Sequence, residues 1–320
     1  MTSVLRLQAP AKLNLYLRVI GRRPDGYHEL ETLFERIDLA DLLTFAPQAS
    51  GITLACDDLS AVPGTAQAGP GLSCGEDNLV TRAAHLLRRA CGVTQGAAIH
   101  LTKRIPIAAG LGGGSSDAAT TLVGLNQLWN TRRSVSQLCE LAAQVGSDVP
   151  FFLHQHPFAI GRGRGERCEL LPGPLPTLWH VVVTPPVHLS TPEIYAGFDE
   201  HKSVLTDVPP SITMTVHALR NGPALAGLAK GLYNDLEPAA IRRCPVIGDI
   251  RALLLEGACQ GALTSGSGPS VFGLCQDRSH AEQVAHAIRR RGASAWAVHI
   301  VRTEAGGVTS GVGEGDDDAR

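Results

Sequence analysis

Two stretches of the chain combine residue types suited to phosphate and proton chemistry. The first is Pro106-Ile107-Ala108-Ala109-Gly110-Leu111-Gly112-Gly113-Gly114-Ser115-Ser116, followed by Asp117 and a helical run to about Trp129. Glycines let backbone approach a ligand closely, and a helix start offers unpaired N–H groups and the positive end of a dipole. That is an anion site suited to phosphates. It is not a Walker A loop, because no Gly-Lys-Ser/Thr follows, and its glycines lack the GxGxxG spacing of dinucleotide sites. A glycine-rich turn with a Ser cap is the plainer alternative. The second stretch is Gly146-Ser147-Asp148-Val149-Pro150-Phe151-Phe152, a carboxylate in a turn pinned by Gly and Pro. Held there, Asp148 can take a proton from a hydroxyl. An isolated Asp in a turn more often closes the turn or caps a helix.

Other candidates are weaker taken singly. The chain has four lysines, and Lys12 stands at the start of an apolar strand in Ala9-Pro10-Ala11-Lys12-Leu13-Asn14-Leu15. A cation there is costly unless paired, so it either faces a carboxylate or phosphate or points from a strand edge to water. Gly26-Tyr27-His28 follows a turn, and Tyr195 follows Thr191-Pro192. Aromatic rings in loops can stack on a base and an imidazole can read its polar edge. Thr264-Ser265-Gly266-Ser267-Gly268-Pro269-Ser270 is either a second anion-lining turn or a tight hairpin. Arg162, Arg164 and Arg167 read as a solvated basic turn.

The elements that must position these residues follow from periodicity. Leu13, Leu15, Leu17 and Val19 alternate with Asn14, Tyr16 and Arg18, the period of a strand. Residues 3–20 read as strand segments broken near Pro10, then a Pro24-Asp25-Gly26 turn and an extended stretch from Glu29 to Phe45. Residues 57–77 read as a long loop. Helices are expected at 78–90, capped by Asp77 or Asn78, at 134–145, at 238–257 and at 281–290. Strands are expected at 97–102, 157–161, 167–171, 178–183 and 296–301. The pattern is α+β, with two helix-bearing halves. The two halves are expected over residues 1–160 and 161–303. Residues 304–320, with a triple Asp and no apolar period, read as a disordered tail.

Composition bounds the partners. The 320 residues carry 28 Lys+Arg against 30 Asp+Glu, a formal charge of −2. That balance argues against a general nucleic-acid or polybasic membrane binder. No apolar run approaches the ~18 residues of a membrane span, and Met1–Lys12 lacks a signal-peptide core. The eight cysteines include no CxxC pair, so no zinc framework is visible and reduced cytoplasmic thiols are expected.

Taken together, these residues resemble the kinase superfamily of galactokinase, homoserine kinase, mevalonate kinase and phosphomevalonate kinase. Pro106–Asp117 resembles its glycine/serine ATP loop, and Thr264–Leu274 is similar to its C-terminal glycine motif. Ala9–Leu15, Gly26-Tyr27-His28-Glu29-Leu30 with Thr32-Leu33-Phe34, and Val145–Phe152 resemble the branch that acts on a cytidine-diphosphate-linked methylerythritol in non-mevalonate isoprenoid synthesis. The resemblance spans about residues 4–303. It implies a two-domain fold, with residues 1–160 the ATP-binding domain, 161–303 the substrate-side domain and the active site in the cleft, ATP and Mg²⁺ as cofactors, and phosphorylation of the 2-hydroxyl of that small molecule. Lys12 and Asp148 would be the catalytic pair and residues 106–116 the ATP loop. Tyr27 and Tyr195 would sandwich the cytosine, His28 would bond its edge and Asn14 would orient the erythritol. No protein residue is assigned to the metal, and no oligomeric state is implied. Another kinase of the superfamily would leave Tyr27-His28 unexplained. A non-catalytic nucleotide-binding regulator is disfavoured by the presence of both Lys12 and Asp148, and a dehydrogenase by the glycine spacing.

Overall fold

The structure is a computed structural model and describes residues 4–60, 71–154, 156–201, 209–221, 225–291 and 295–304. Its spine is a long antiparallel hairpin of β1 (Leu5–Arg22) and β2 (His28–Gln48), joined through the turn at Gly26, whose φ is +86°. β1 runs through Pro10 without a break. The register shifts by a bulge between Pro10 and Ala11, which accommodates the missing N–H. A second bulge falls between Asn14 and Tyr16, at the level of the candidate site.

Around the hairpin the sheet runs β3 (Ile52–Asp58), β4 (Gly96–Lys103), β2, β1, β8 (Tyr233–Asn234). The first half of β2 also pairs with β5 (Phe158–Gly163), which pairs with β6 (Arg167–Leu170). The expected division at residue 160 therefore falls inside β5. β3 occupies the start of the stretch read as a loop from 57; residues 61–70 of that stretch lie outside the described residues.

Four helices join this sheet: α1 (Leu79–Ala90), α2 (Gly113–Leu128), α3 (Val135–Val145) and α4 (Val149–Leu153). Asn78 caps α1 through its side chain, and Ser134 caps α3 in a capping box with Gln137. Their apolar faces enclose Leu7, Phe45, Leu101, Leu122 and Phe151.

A second, antiparallel sheet has the order β11 (Ala297–Arg302), β7 (Trp179–Thr184), β10 (Val271–Cys275), β9 (Gly261–Thr264). Leu13, Leu15, Leu33 and Ile37 of the first sheet meet Val182, Leu263, Phe272 and Leu274 of the second in one apolar layer. With Leu13 and Leu15 turned into that layer, the period of two turns Lys12 and Asn14 the other way.

The later half adds α5 (Thr191–His201), α6 (Ile212–Arg220), α7 (Leu225–Gly231), α8 (Glu237–Arg243), α9 (Val246–Glu256) and α10 (Arg278–Arg290). The single helix expected over 238–257 is two, because Pro245 lacks an N–H and starts a new helix as its N-cap. All eight cysteines are free thiols. Among the described residues no helix is long and apolar enough to cross a membrane. Of the expected tail, residues 305–320 lie outside the described residues.

Candidate active site

The glycine loop reaches α2 through three residues with positive φ: Ala108 (51°), Gly110 (78°) and Gly112 (69°). Gly112 is the N-cap and provides no side-chain hydrogen bond, so the first-turn amides are left for a ligand. That geometry disfavours the Ser-capped turn as the role of this stretch. A Cβ on Gly110 would sit 2.1 Å from the carbonyl oxygen of Ser265. At Gly113 it would meet Lys103 Nζ at 2.7 Å, so this glycine serves packing beneath the loop. Gly114 is exposed and open at the helix start.

Lys12 is buried beside this loop. Its backbone N–H donates to Leu111 O at 2.9 Å, and its Nζ donates to Gly110 O at 3.0 Å and to Asn14 Oδ1. The Nζ also lies 3.6 Å from Asp148 Oδ2. Burial lowers the Lys12 pKa, and Asp148 works against that shift. Asp148 is the N-cap position of α4 but makes no side-chain cap bond, so its carboxylate is not consumed by the helix. Asn14 Nδ2 donates to Thr32 Oγ1 at 2.8 Å, and that hydroxyl donates to Tyr16 O at 2.6 Å, which fixes the amide's orientation.

The turn after β9 closes the site from the second sheet. Ser265 Oγ donates to Gly110 O at 3.0 Å, and Ser270 N–H donates to Ala109 O at 3.2 Å. The segment from Thr264 to Ser270 is thus both a hairpin turn and part of the site wall.

Lys12, Asn14, Tyr27, His28, Asp148 and Tyr195 all line one cavity of about 790 Å³, together with Gly110, Gly112, Gly266 and Ser267. The candidate Lys–Asp pair, Asn14 and the aromatic candidates are therefore brought to one place, while of residues 106–116 only Ala108, Gly110 and Gly112 line the cavity, and Arg162 and Arg167 do not. The aromatic arrangement has its own detail. His28 stacks on Tyr195, with ring centres 4.7 Å apart and planes at 23°, and its Nε2 lies 3.0 Å from Asp199 Oδ1. Tyr27 is exposed, and the guanidinium of Arg164 lies 4.9 Å from its ring centre. Burial raises the Tyr195 phenol, with Asp148 adding to the shift.

Sequence reasoning did not single out Asp199, which stands one helical turn after Tyr195 on α5, or the cavity role of Arg164. It also passed over a buried cluster under the loop. Lys103 Nζ donates to Asp117 Oδ2 at 2.9 Å and to Asp41, whose other oxygen accepts the amides of Arg104 and Ile105. Asp117 Oδ1 and Ser116 Oγ are buried without a hydrogen-bond partner among the described residues. Burial and the neighbouring Asp41 outweigh Lys103 and push the Asp117 carboxyl up to about 8.

An uncapped, glycine-led helix start beside a Lys–Asp pair is the arrangement that phosphoryl transfer to a small molecule needs, and the class of the chain agrees: it is a GHMP kinase. Residues 78–156 match the GHMP kinases N terminal domain and residues 215–294 the GHMP kinases C terminal domain. A crystal structure of 4-(cytidine 5'-diphospho)-2C-methyl-D-erythritol kinase superposes with a TM-score of 0.75 at 36% identity, covering 93% of this chain and 99% of that one. The homoserine kinase of Cytophaga hutchinsonii shares the fold at a TM-score of 0.69 and 19% identity, covering 97% of this chain and 98% of that one. In sequence, the 4-diphosphocytidyl-2-C-methyl-D-erythritol kinase of Pelotomaculum thermopropionicum is 48% identical over 288 residues, which are 90% of this chain and 94% of the relative. That of Symbiobacterium thermophilum is 42% identical over 303 residues, 93% of this chain and 99% of the relative. The chain belongs to the 4-diphosphocytidyl-2-C-methyl-D-erythritol kinase family.

Proposed function

We propose that the chain transfers the γ-phosphate of ATP to the 2-hydroxyl of 4-diphosphocytidyl-2-C-methyl-D-erythritol. The observation that carries this reading is the Lys12–Asp148 pair, facing a cavity bounded by the glycine loop at one side and by Tyr27, His28 and Tyr195 at another. Phosphoryl transfer asks a protein mainly for positioning and charge stabilisation. The first-turn amides of α2 would hold the phosphates. Asp148 would orient the substrate hydroxyl and take its proton as the oxygen bonds to the γ-phosphorus and ADP leaves. Lys12, stripped of water and aimed by Asn14 and Gly110 O, would stabilise charge on the transferring group. Asn14 would orient the erythritol hydroxyls.

Mg²⁺ binds mainly through phosphate oxygens with one or two protein oxygens; among the described residues no cluster of His, Cys, Asp or Glu stands ready to hold it, so the ion would come with the phosphates held at the start of α2 and would neutralise their charge when bound.

For the base, His28 Nε2 faces the Asp199 carboxylate, which can only accept, so in the neutral ring Nδ1 would be the acceptor. The exocyclic amine of cytosine suits that acceptor, whereas the carbonyl of uracil sets two acceptors against each other. A site built on such a bond rejects the mismatched base strongly. Steady-state kinetics with the cytidine substrate and its uridine analogue test the reading. Wild type is expected to use the uridine analogue poorly. Tyr27→Ala is expected to raise KM for the cytidine substrate by about 5-fold to 150-fold, the range for one base stack, with KM for ATP unchanged. Equal use of both bases, or equal KM shifts for both substrates, would leave only a kinase of unspecified acceptor.

A further inference from the structure

Two thiols that the transfer chemistry does not use meet behind the second sheet. Cys259 follows α9 by three residues, Cys275 is the last residue of β10, and their sulfurs lie 3.7 Å apart. The backbone builds this contact. Cys259 N–H donates to Leu254 O at 3.2 Å and Gln260 N–H donates to Leu274 O at 2.8 Å, so the chain passes directly from the helix to the side of β10. Ala258, with φ of +62°, makes the bend. A Cβ on Gly273 would come 2.7 Å from Cys259 Sγ, so the missing side chain on β10 leaves the room that this sulfur fills.

The two thiols are not equivalent. Burial raises Cys56, Cys139, Cys168 and Cys244 above the ordinary thiol range. Cys259 moves the other way, because the Cys275 S–H donates to its sulfur, and the same bond raises Cys275. Cys259 is also the more open of the two, 6% exposed against 1%. Cys259 therefore suits the attacking thiolate, and Cys275 the thiol that resolves the product.

Their place in the chain gives the pair a consequence. Between them lie β9, the Thr264–Ser270 turn and β10. That turn reaches the glycine loop through Ser265 Oγ to Gly110 O and Ser270 N–H to Ala109 O. A bond between the sulfurs would close the base of the hairpin whose tip walls the active site.

We propose that Cys259 and Cys275 form a reversible thiol–disulfide modification site, oxidised by a hydroperoxide, that staples the β9–β10 hairpin. The Cys259 thiol gives up its proton and its sulfur attacks one peroxide oxygen. An S–O bond forms, the O–O bond breaks, and the leaving hydroxide takes a proton to become water. Cys275 then gives up its proton and attacks the sulfenic sulfur of Cys259. The S–S bond forms, the S–O bond breaks, and the second hydroxide leaves as water. The two thiols lose two electrons and the peroxide gains them.

The test treats the full chain with hydrogen peroxide and maps non-reduced peptides by mass spectrometry. Wild type is expected to gain a Cys259–Cys275 link that dithiothreitol removes. The oxidised protein should melt about 5 °C higher than the reduced one, from closing a loop of about 15 residues in a chain of this size. Cys275→Ser should stop at a Cys259 sulfenic acid that dimedone traps, with no gain in melting temperature, and Cys259→Ser should give neither product. Both variants should keep the wild-type kcat when reduced, since neither residue lines the cavity. Absence of the link in wild type, or a Cys56–Cys74 link in its place, overturns the modification site. A link that leaves the melting temperature unchanged overturns the staple. Both of these readings come from wild type, so they stand whether or not the variants fold.

Discussion

Lys12 Nζ on β1 and Asp148 Oδ2 at the start of α4 lie 3.6 Å apart, the lysine side chain 4% exposed and the carboxylate 30%. The asymmetry has a chemical consequence. The cation is fixed in a dry pocket, where its field is little screened, while the carboxylate keeps one face open to a hydroxyl. Neither role is possible from β1 or α4 alone, because the glycine loop closes over Lys12 from above.

The lowered Lys12 pKa gives an alkaline limit. As pH rises through it, the ammonium loses its proton and the charge that supports transfer disappears. The kcat profile is therefore expected to fall at a pH below the ~10.4 of an ordinary lysine. At neutral pH, Lys12→Met is expected to lower kcat by about 10²-fold to 10³-fold, as for loss of one preorganised charge. A variant with normal kcat and only a raised KM for ATP would make Lys12 a nucleotide-binding group.

Gly110 is expected to tolerate no side chain. Gly110→Ala places a Cβ against Ser265 O in a backbone of positive φ, and strain of that kind costs about 1–3 kcal/mol. The loop must shift, so ATP affinity by calorimetry should drop together with melting temperature. Gly114→Ala has open space, its nearest neighbour being Leu79 Cδ1 at 3.5 Å, and should leave melting temperature unchanged. Wild-type ATP affinity in Gly110→Ala would separate this loop from the phosphates.

Asp117 predicts a slope of stability with pH. The folded protein keeps a proton on this carboxyl up to about 8, whereas the unfolded chain releases it near the ordinary ~3.9. Between those values the native state binds more protons, so stability falls as pH rises. The contribution is complete below the unfolded value and gone above the folded one. Urea unfolding of wild type and Asp117→Asn between pH 5 and 8.5 checks this. The variant should lose the downward slope that this group supplies, and parallel curves would contradict it.

Much of the site can be read locally. Alternation along β1 turns Lys12 and Asn14 together once Leu13 and Leu15 are assigned to the core, and the glycine–serine run marks its own helix start. Asn78 and Ser134 mark helix starts in the same way. Pro245 carried the signal that divides α8 from α9. Arg164 had no such signal. Its place depends on β5 pairing with β2, which brings a turn that reads as solvent-facing against Tyr27. Likewise, Lys103 is an ordinary strand-end lysine in sequence. Only the packing of β4, β2 and α2 makes it a buried cation shared by two carboxyl groups.

The central claim is that Asp148 serves the acceptor hydroxyl and not the nucleotide. The most direct measurement is single-turnover transfer of labelled γ-phosphate from ATP to 4-diphosphocytidyl-2-C-methyl-D-erythritol, with both substrates saturating, in wild type and Asp148→Asn. Wild type should label the acceptor. The variant should be slower by about 10²-fold to 10⁴-fold, the usual worth of a general base, with ATP affinity unchanged. Transfer at the wild-type rate by Asp148→Asn would contradict the account.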